Sequence, residues 1–221
     1  MPLEKRRILI VDDHPIVRQG LALLINRETD LAVCGDAEEA GSALRRIEEL
    51  KPDLVVVDIS LNGPDGLDLL KNIRAREPNL PVLILSMMDE LLYAERGLRA
   101  GANGYIMKQQ ATEQVLVAIR RILDGEIYLS ERMANKMLHL FVGGGSPTEQ
   151  SSPMADLTDR ELEVFRLIGE GHGTRQIADE LHLSIKTVES YQAHIKDKLL
   201  LKNGRELVQR AIQWHVGNKT Q

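Results

Sequence analysis

One stretch restricts the folds open to this chain more than any other: Asp53-Leu54-Val55-Val56-Val57-Asp58. Its apolar residues run unbroken between Lys51-Pro52 and the turn-rich cluster Asn62-Gly63-Pro64-Asp65-Gly66. A short, β-branched run without polar alternation is a strand covered on both faces, the situation of a parallel sheet. It ends in a carboxylate. A buried charge is costly unless it is paired, bound to a metal or opened to the edge of the sheet. In open α/β sheets the carboxyl edge is where ligands sit. Asp58 is therefore the first candidate for a chemical site.

The pattern recurs along the first half of the chain. Arg7-Ile8-Leu9-Ile10-Val11 reads as a strand ending in Asp12-Asp13, and Leu31-Ala32-Val33-Cys34 as another. Pro81-Val82-Leu83-Ile84-Leu85 ends in Ser86, and Gly104-Tyr105-Ile106-Met107 ends in Lys108. Helical spacing fills the gaps. Pro15 opens a helix that runs to Asn26, and residues 38–50 put Ala40, Leu44 and Ile47 on one face. Leu67, Leu70 and Ile73 mark a helix stopping at Pro78, and residues 90–100 one closed by Gly101. Thr112 is placed as the cap of a fifth, with Val115, Ile119 and Ile122. Five strands alternating with helices predict an α/β fold, a five-stranded doubly wound parallel sheet of flavodoxin-like order 2-1-3-4-5.

Residues 130–141 predict one more helix, and the Gly/Ser/Pro-rich residues 143–153 a flexible linker. Beyond it the alternation stops. Thr158-Asp159-Arg160-Glu161 is a capping box, Thr174 starts a short helix, and Ser184 and Asn203 cap two more. The division expected is 1–126 as an α/β domain, 127–155 as helix and linker, and 156–221 as a small all-α domain.

Composition narrows the setting. The single Cys34 excludes a disulfide framework within the chain and fits a reducing compartment. No apolar run reaches membrane-spanning length and no signal-peptide core opens the chain, so a cytoplasmic protein without a membrane partner is expected. The net charge of −5 provides no global basic field.

In the predicted strand order the first and third strands are neighbours, so Asp12, Asp13 and Asp58 share one pocket. Their mutual repulsion calls for a cation between them, and oxygen ligands suit a hard ion such as Mg²⁺. Lys108 brings an ammonium and Ser86 a hydroxyl. Metal, ammonium and hydroxyl around one carboxylate would neutralise a phosphoryl group transferred to it. His14 is expected at the rim as a helix-start residue.

On these residues the chain resembles the receiver domain of bacterial two-component response regulators. The similarity runs over residues 6–124 and is carried by Ile10-Val11-Asp12-Asp13-His14, Val57-Asp58-Ile59, Asp65-Gly66, Leu85-Ser86, Gly101-Ala102 and Gly104-Tyr105-Ile106-Met107-Lys108. The resemblance implies that Asp58 accepts a phosphoryl group from a histidine kinase. It implies that Asp12, Asp13, Asp58 and the Ser60 carbonyl hold Mg²⁺. Ser86 and Tyr105 become a switch pair: Ser86 moves to the phosphoryl group, and Tyr105 turns inward behind it.

In the second half, Ile177, Ala178 and Val188 fit the core of a helix-turn-helix, with His182 in the tight turn where a left-handed residue is needed. Val188, Tyr191, Ile195 and Leu199 fall inward on a helical wheel; Lys186, Ser190 and Ala193 fall outward, flanked by Glu189 and His194. Such a helix can enter a major groove. Between residues 175 and 210, seven basic side chains face five acidic ones, which does not separate DNA binding from a solvated bundle. Leu157-Thr158, Arg160-Glu161, Ile177-Ala178, Lys186-Thr187-Val188-Glu189 and Lys198-Leu199 look like the LuxR-type helix-turn-helix. That resemblance implies a NarL/FixJ-subfamily regulator that binds double-stranded promoter DNA as a homodimer. Lys186 and Thr187 would touch phosphates, Glu189, Ser190 and Ala193 would lie nearest the bases, and Thr174, Arg175 and Gln192 complete the expected face. Leu207, Ala211, Ile212 and Trp214 would supply either a dimer face or packing on their own domain.

The whole reads as a non-enzymatic response regulator. Two alternatives differ in class. A Mg²⁺-dependent phosphohydrolase with an Asp nucleophile would want a second acid where Ser60 stands. A phospho-switched protein-binding module would use the helical half for dimerisation only.

Overall fold

The structure, a computed structural model, describes residues 5–61, 66–87, 90–142 and 153–219. The turn cluster at 62–65, Met88 and the linker residues 143–152 lie outside the described residues. The chain divides into two compact units, Met1–Gly143 and Gly144–Gln221.

In the first unit, strands β1 (Arg6–Val11), β2 (Leu31–Ala37), β3 (Leu54–Val57), β4 (Val82–Ser86) and β5 (Gly104–Met107) alternate with helices α1 (Pro15–Asn26), α2 (Ala40–Leu50), α3 (Gly66–Arg76), α4 (Glu90–Arg99) and α5 (Ala111–Leu123). The strands pair in parallel in the order β2-β1-β3-β4-β5. All of β3 is buried, as its unbroken apolar run requires. Ile8, Ile10, Leu54, Val56, Leu83, Leu85 and Ile106 pack on Leu21 and Ile25 of α1 and on Val115 and Ile119 of α5. Each fully buried aliphatic side chain contributes about 1.5–3 kcal/mol.

Register places the site. Val11 lies opposite Val57, so β1 and β3 end level with each other. The Asp58 N–H donates to the Val11 carbonyl at 2.8 Å.

Two local expectations shift, at β2 and at α5. β2 continues to Ala37, because β1 keeps pairing with it to Val11 across a bulge at Ile8/Leu9. Cys34 is half-buried, with its Sγ donating to the Ile8 carbonyl at 3.4 Å; burial pushes the thiol above its ordinary pKa. Thr112 does not cap α5. A 3₁₀ turn at Lys108–Gln110 runs directly into the helix, and the Ala111 N–H bonds to the Lys108 carbonyl.

Helix α6 (Glu131–Val142) follows, and its Met133 N–H donates to the Ser130 hydroxyl at 3.1 Å.

In the second unit a 3₁₀ turn at Pro153–Asp156 precedes α7 (Asp159–Gly169), α8 (Thr174–Glu180), α9 (Ile185–Lys198) and α10 (Gly204–Lys219). The Thr158/Glu161 capping box is formed, and Ser184 and Asn203 accept N–H bonds from Thr187 and Glu206. His182 has φ 53° between α8 and α9. Phe165, Ile177, Val188, Ile195 and Ala211 are buried. Gly169 lets α7 and α10 touch, since a Cβ there would lie 2.6 Å from the Ala211 carbonyl oxygen. Among the described residues no helix is long and apolar enough to cross a membrane.

Candidate functional site

The acids at the ends of β1 and β3 converge on the lysine that follows β5. Lys108 Nζ lies 2.7 Å from Asp12 Oδ2 and 2.7 Å from Asp58 Oδ2. Asp12 and Asp58 are 2% and 1% exposed. The remaining oxygens are fixed from the backbone. The Ser60 N–H donates to Asp58 Oδ1 at 2.9 Å, and the His14 N–H to Asp12 Oδ1 at 2.8 Å. Arg18 holds the Asp12 carbonyl at 2.6 Å. His14 stands at the rim, its Nδ1 2.7 Å from Asp13 Oδ1.

Burial lifts the Asp58 carboxyl above its ordinary pKa, although Lys108 pulls the other way. The same burial penalises the Lys108 ammonium, yet Asp58 and Asp12 outweigh it and hold the lysine above its ordinary value.

Ligand atoms of Asp12, Asp13, His14 and Asp58 all lie within 4.8 Å of one another. Three carboxylates against one ammonium leave the pocket short of positive charge, and the donors are mainly hard oxygens. Both features fit a small divalent cation.

Ser86 is fully buried at the end of β4, its Oγ 3.2 Å from Ser60 Oγ. Tyr105 is 1% exposed on the neighbouring strand β5.

The sequence reading missed what holds β5 and the start of α4. Tyr128, after α5, lies along the outer edge of β5. Its N–H donates to the Asn103 carbonyl at 2.9 Å, and its carbonyl accepts the Tyr105 N–H at 3.0 Å. Gly104 permits the approach, since a Cβ there would lie 2.9 Å from the Tyr128 carbonyl oxygen. Two residues on, the Ser130 N–H donates to the buried Glu90 carboxylate at 2.9 Å. One strap thus ties α6 both to the backbone of Tyr105 and to the first residue of α4. A buried Glu at a helix start was the available signal; its partner 40 residues away was not.

In the helical unit, Val188 and Ile195 are buried and Tyr191 and Leu199 half-buried, while Lys186, Glu189, Ser190, Ala193, His194 and Arg175 are exposed. Thr187 is engaged in the helix cap, its Oγ1 2.7 Å from Ser184 Oγ. Ser190 Oγ donates to the Lys186 carbonyl at 3.1 Å, and Gln192 Nε2 to Thr174 Oγ1 at 3.2 Å. Glu161, unsuspected beyond its capping role, accepts Lys198 Nζ and the Thr158 N–H, both at 2.7 Å, and so fastens α9 to α7. These bonds hold its carboxyl below its ordinary pKa even though burial acts against them. On α10, Leu207 and Ala211 are buried within their own unit and Trp214 lies against Phe165 at 5.6 Å. Ile212 instead shares an exposed apolar side with Val208 and Val216.

This geometry has known counterparts. The model of the response regulator receiver domain matches residues 8–120, and that of the bacterial regulatory proteins of the luxR family matches residues 155–211. The oxygen regulatory protein NreC of Staphylococcus aureus is 37% identical over 210 residues, spanning 94% of this chain and 97% of its own. A LuxR-family two-component response regulator from Aurantimonas is 37% identical, with a TM-score of 0.59, over 63% of this chain and 99% of that one. RcsB of Salmonella typhimurium is 25% identical with a TM-score of 0.63 over 96% and 98%. A structure of two RcsB dimers bound to two parallel DNAs matches at 25% identity and a TM-score of 0.57 over 93% and 97%.

Proposed function

The chain belongs to the response regulators that join a receiver domain to a LuxR-type helix-turn-helix, whose function is phosphorylation-dependent control of transcription, and from that premise we propose how its own residues act. Asp58 takes a phosphoryl group from a histidine kinase's phosphohistidine. A carboxylate oxygen attacks phosphorus, the new O–P bond replaces the N–P bond, and the imidazole leaves. Asp12, Asp13, Asp58 and the Ser60 carbonyl would hold Mg²⁺, which when bound supplies positive charge to the phosphoryl oxygens. Lys108 moves from its carboxylate pair to one of those oxygens, and Ser86 turns its hydroxyl from Ser60 to another.

The observation that carries this reading is Lys108 seated between Asp12 and Asp58 at 2.7 Å from each. A cation already shared by two buried acids needs little reorganisation to meet a phosphoryl group. The signal then leaves through the strap that joins Tyr105 and Glu90 to α6. The division into residues 1–126, 127–155 and 156–221 follows the same logic: sensor, transmitting helix with linker, and reader. The reader binds promoter DNA as a homodimer. Lys186, Thr187 and Arg175 face the backbone, and Glu189, Ser190 and Ala193 face the bases, with Thr174 and Gln192 bracing the helix. Ile212, Val208 and Val216 of α10 supply the apolar side for pairing.

The test is beryllofluoride with Mg²⁺ on wild type and Asp58→Asn, reading mass in solution and affinity for promoter fragments. Wild type is expected to dimerise and bind more tightly while the variant does neither. An equal response in both would refute the mechanism.

A further inference from the structure

Helix α9 carries two acids, Glu189 in its N-terminal half and Asp197 in its last turn. The N-terminal residues of a recognition helix are the ones that meet base edges. Glu189 is exposed, and among the described residues it forms no ion pair or side-chain hydrogen bond, although Lys186 lies one turn before it. Four other acids of the unit are engaged, Glu161 with Lys198, Glu163 with Arg160, Glu170 with Arg166, and Glu206 with the Lys202 N–H; Asp179 and Asp197 are exposed like Glu189 but lie outside the N-terminal half of α9. An unneutralised carboxylate on the face that approaches a polyanion loses affinity unless a donor meets it.

Resting on the DNA-binding reading above, we infer that Glu189 is a specificity-determining residue that accepts a hydrogen bond from the N4 amino group of a cytosine in the major groove. The groove offers a carboxylate two donors, cytosine N4 and adenine N6. Adenine sets its N7 acceptor beside N6, against the second carboxylate oxygen, and so is the poorer partner. Guanine presents only acceptors, O6 and N7, and thymine presents O4.

The neighbours do not cancel this preference. The Ser190 hydroxyl hydrogen goes to the Lys186 carbonyl, and the Gln192 amide nitrogen goes to Thr174. The single Ser190 hydrogen is thereby spent, and Gln192, which keeps a second amide hydrogen, is tethered toward Thr174. Ala193, one turn on from Glu189, offers a methyl.

The experiment is selection of binding sites from randomised duplex DNA by the full chain, activated with beryllofluoride and Mg²⁺. Wild type, Glu189→Ala and Glu189→Gln are compared, with circular dichroism to confirm that each is folded. Wild type is expected to select a cytosine at one position per half-site, with about a tenfold loss on replacing it. Glu189→Ala is expected to relax that position alone while keeping or raising salt-dependent affinity. Glu189→Gln is expected to shift the preference to adenine, which a Gln amide pairs through N6 and N7. Retained binding with the same base preference in Glu189→Ala would overturn the inference and leave DNA binding standing. Absence of salt-dependent DNA binding by wild type would overturn both.

Discussion

Asp12 and Asp58 are 2% and 1% exposed and share one ammonium, whereas Glu189 stands in solvent with no cation on it among the described residues. The two units thus use acids in opposite ways. In the receiver, burial raises the energy of the Asp58 carboxylate, and the fold holds the oxygens of Asp12 and Asp58 in advance. A group that brings positive charge finds the pocket already arranged. On α9 the outward Lys186, Glu189 and Ala193 stand in solvent, while Thr187, Ser190 and Gln192 each keep one local hydrogen bond. Pre-organisation suits chemistry, which must stabilise a fleeting charge distribution. Exposure suits recognition, where the partner supplies the missing donors.

The largest break in this contrast is Lys108→Ala. It leaves two buried acids without their shared cation, and removing one partner of a buried ion pair costs roughly 3–5 kcal/mol. The variant is expected to unfold at lower urea and to lose its response to beryllofluoride; an unchanged midpoint would show that the pocket is not pre-organised. Next comes Glu90→Ala, which strips a buried acceptor from the Ser130 N–H. Leaving such a donor unsatisfied costs about 1–3 kcal/mol, so amide exchange at residues 130–134 is expected to accelerate at least about fivefold. Unaltered exchange would mean that the strap does not hold α6.

A smaller effect tests Glu161, a buried acid of the reader tied to α7 and α9. Glu161 has a folded pKa below its ordinary 4.5. Its contribution is therefore present above that value and is lost as pH falls below it. Urea titrations of wild type are expected to show the helical unit weakening below about pH 4.5, by about 1 kcal/mol, with the step absent in Glu161→Gln. An identical pH profile would remove Glu161 from the account. Smallest is Arg120→Ala. The Arg120 guanidinium holds Asp30 down to about 2, but the pair is largely exposed. Loss is expected to stay under about 1 kcal/mol, and a larger loss would mean that surface pairs rival the buried site.

The strand ends were legible because burial and chemistry coincide there. A β-branched run gives the strand, and an acid or lysine at its end gives the site. The parallel order then brings Asp12, Asp58 and Lys108 together. The caps at Thr158, Ser184 and Asn203 were legible because they are local. What stayed hidden depends on partners distant in sequence. Arg74 bonds the carbonyls of Leu80 and Gly101 and the Asn103 side chain, and burial lowers its pKa. Nothing near Arg74 in the chain announces those acceptors. The Tyr128 bridge, the Glu90–Ser130 bond and the Glu161–Lys198 bond are of the same kind. The α10 residues split for a related reason: a helical wheel cannot say which half of an apolar stripe its own domain will cover, and Leu207 and Ala211 turned in while Ile212 did not.

The account turns on Asp58 being the carboxylate that receives the phosphoryl group. Treatment with acetyl phosphate and Mg²⁺, borohydride reduction of the acyl phosphate, and peptide mass mapping read this directly. The predicted result is one Mg²⁺-dependent conversion of Asp58 to homoserine, absent without the metal. Conversion at Asp12 or Asp13 instead, or none at all in folded protein, would contradict it.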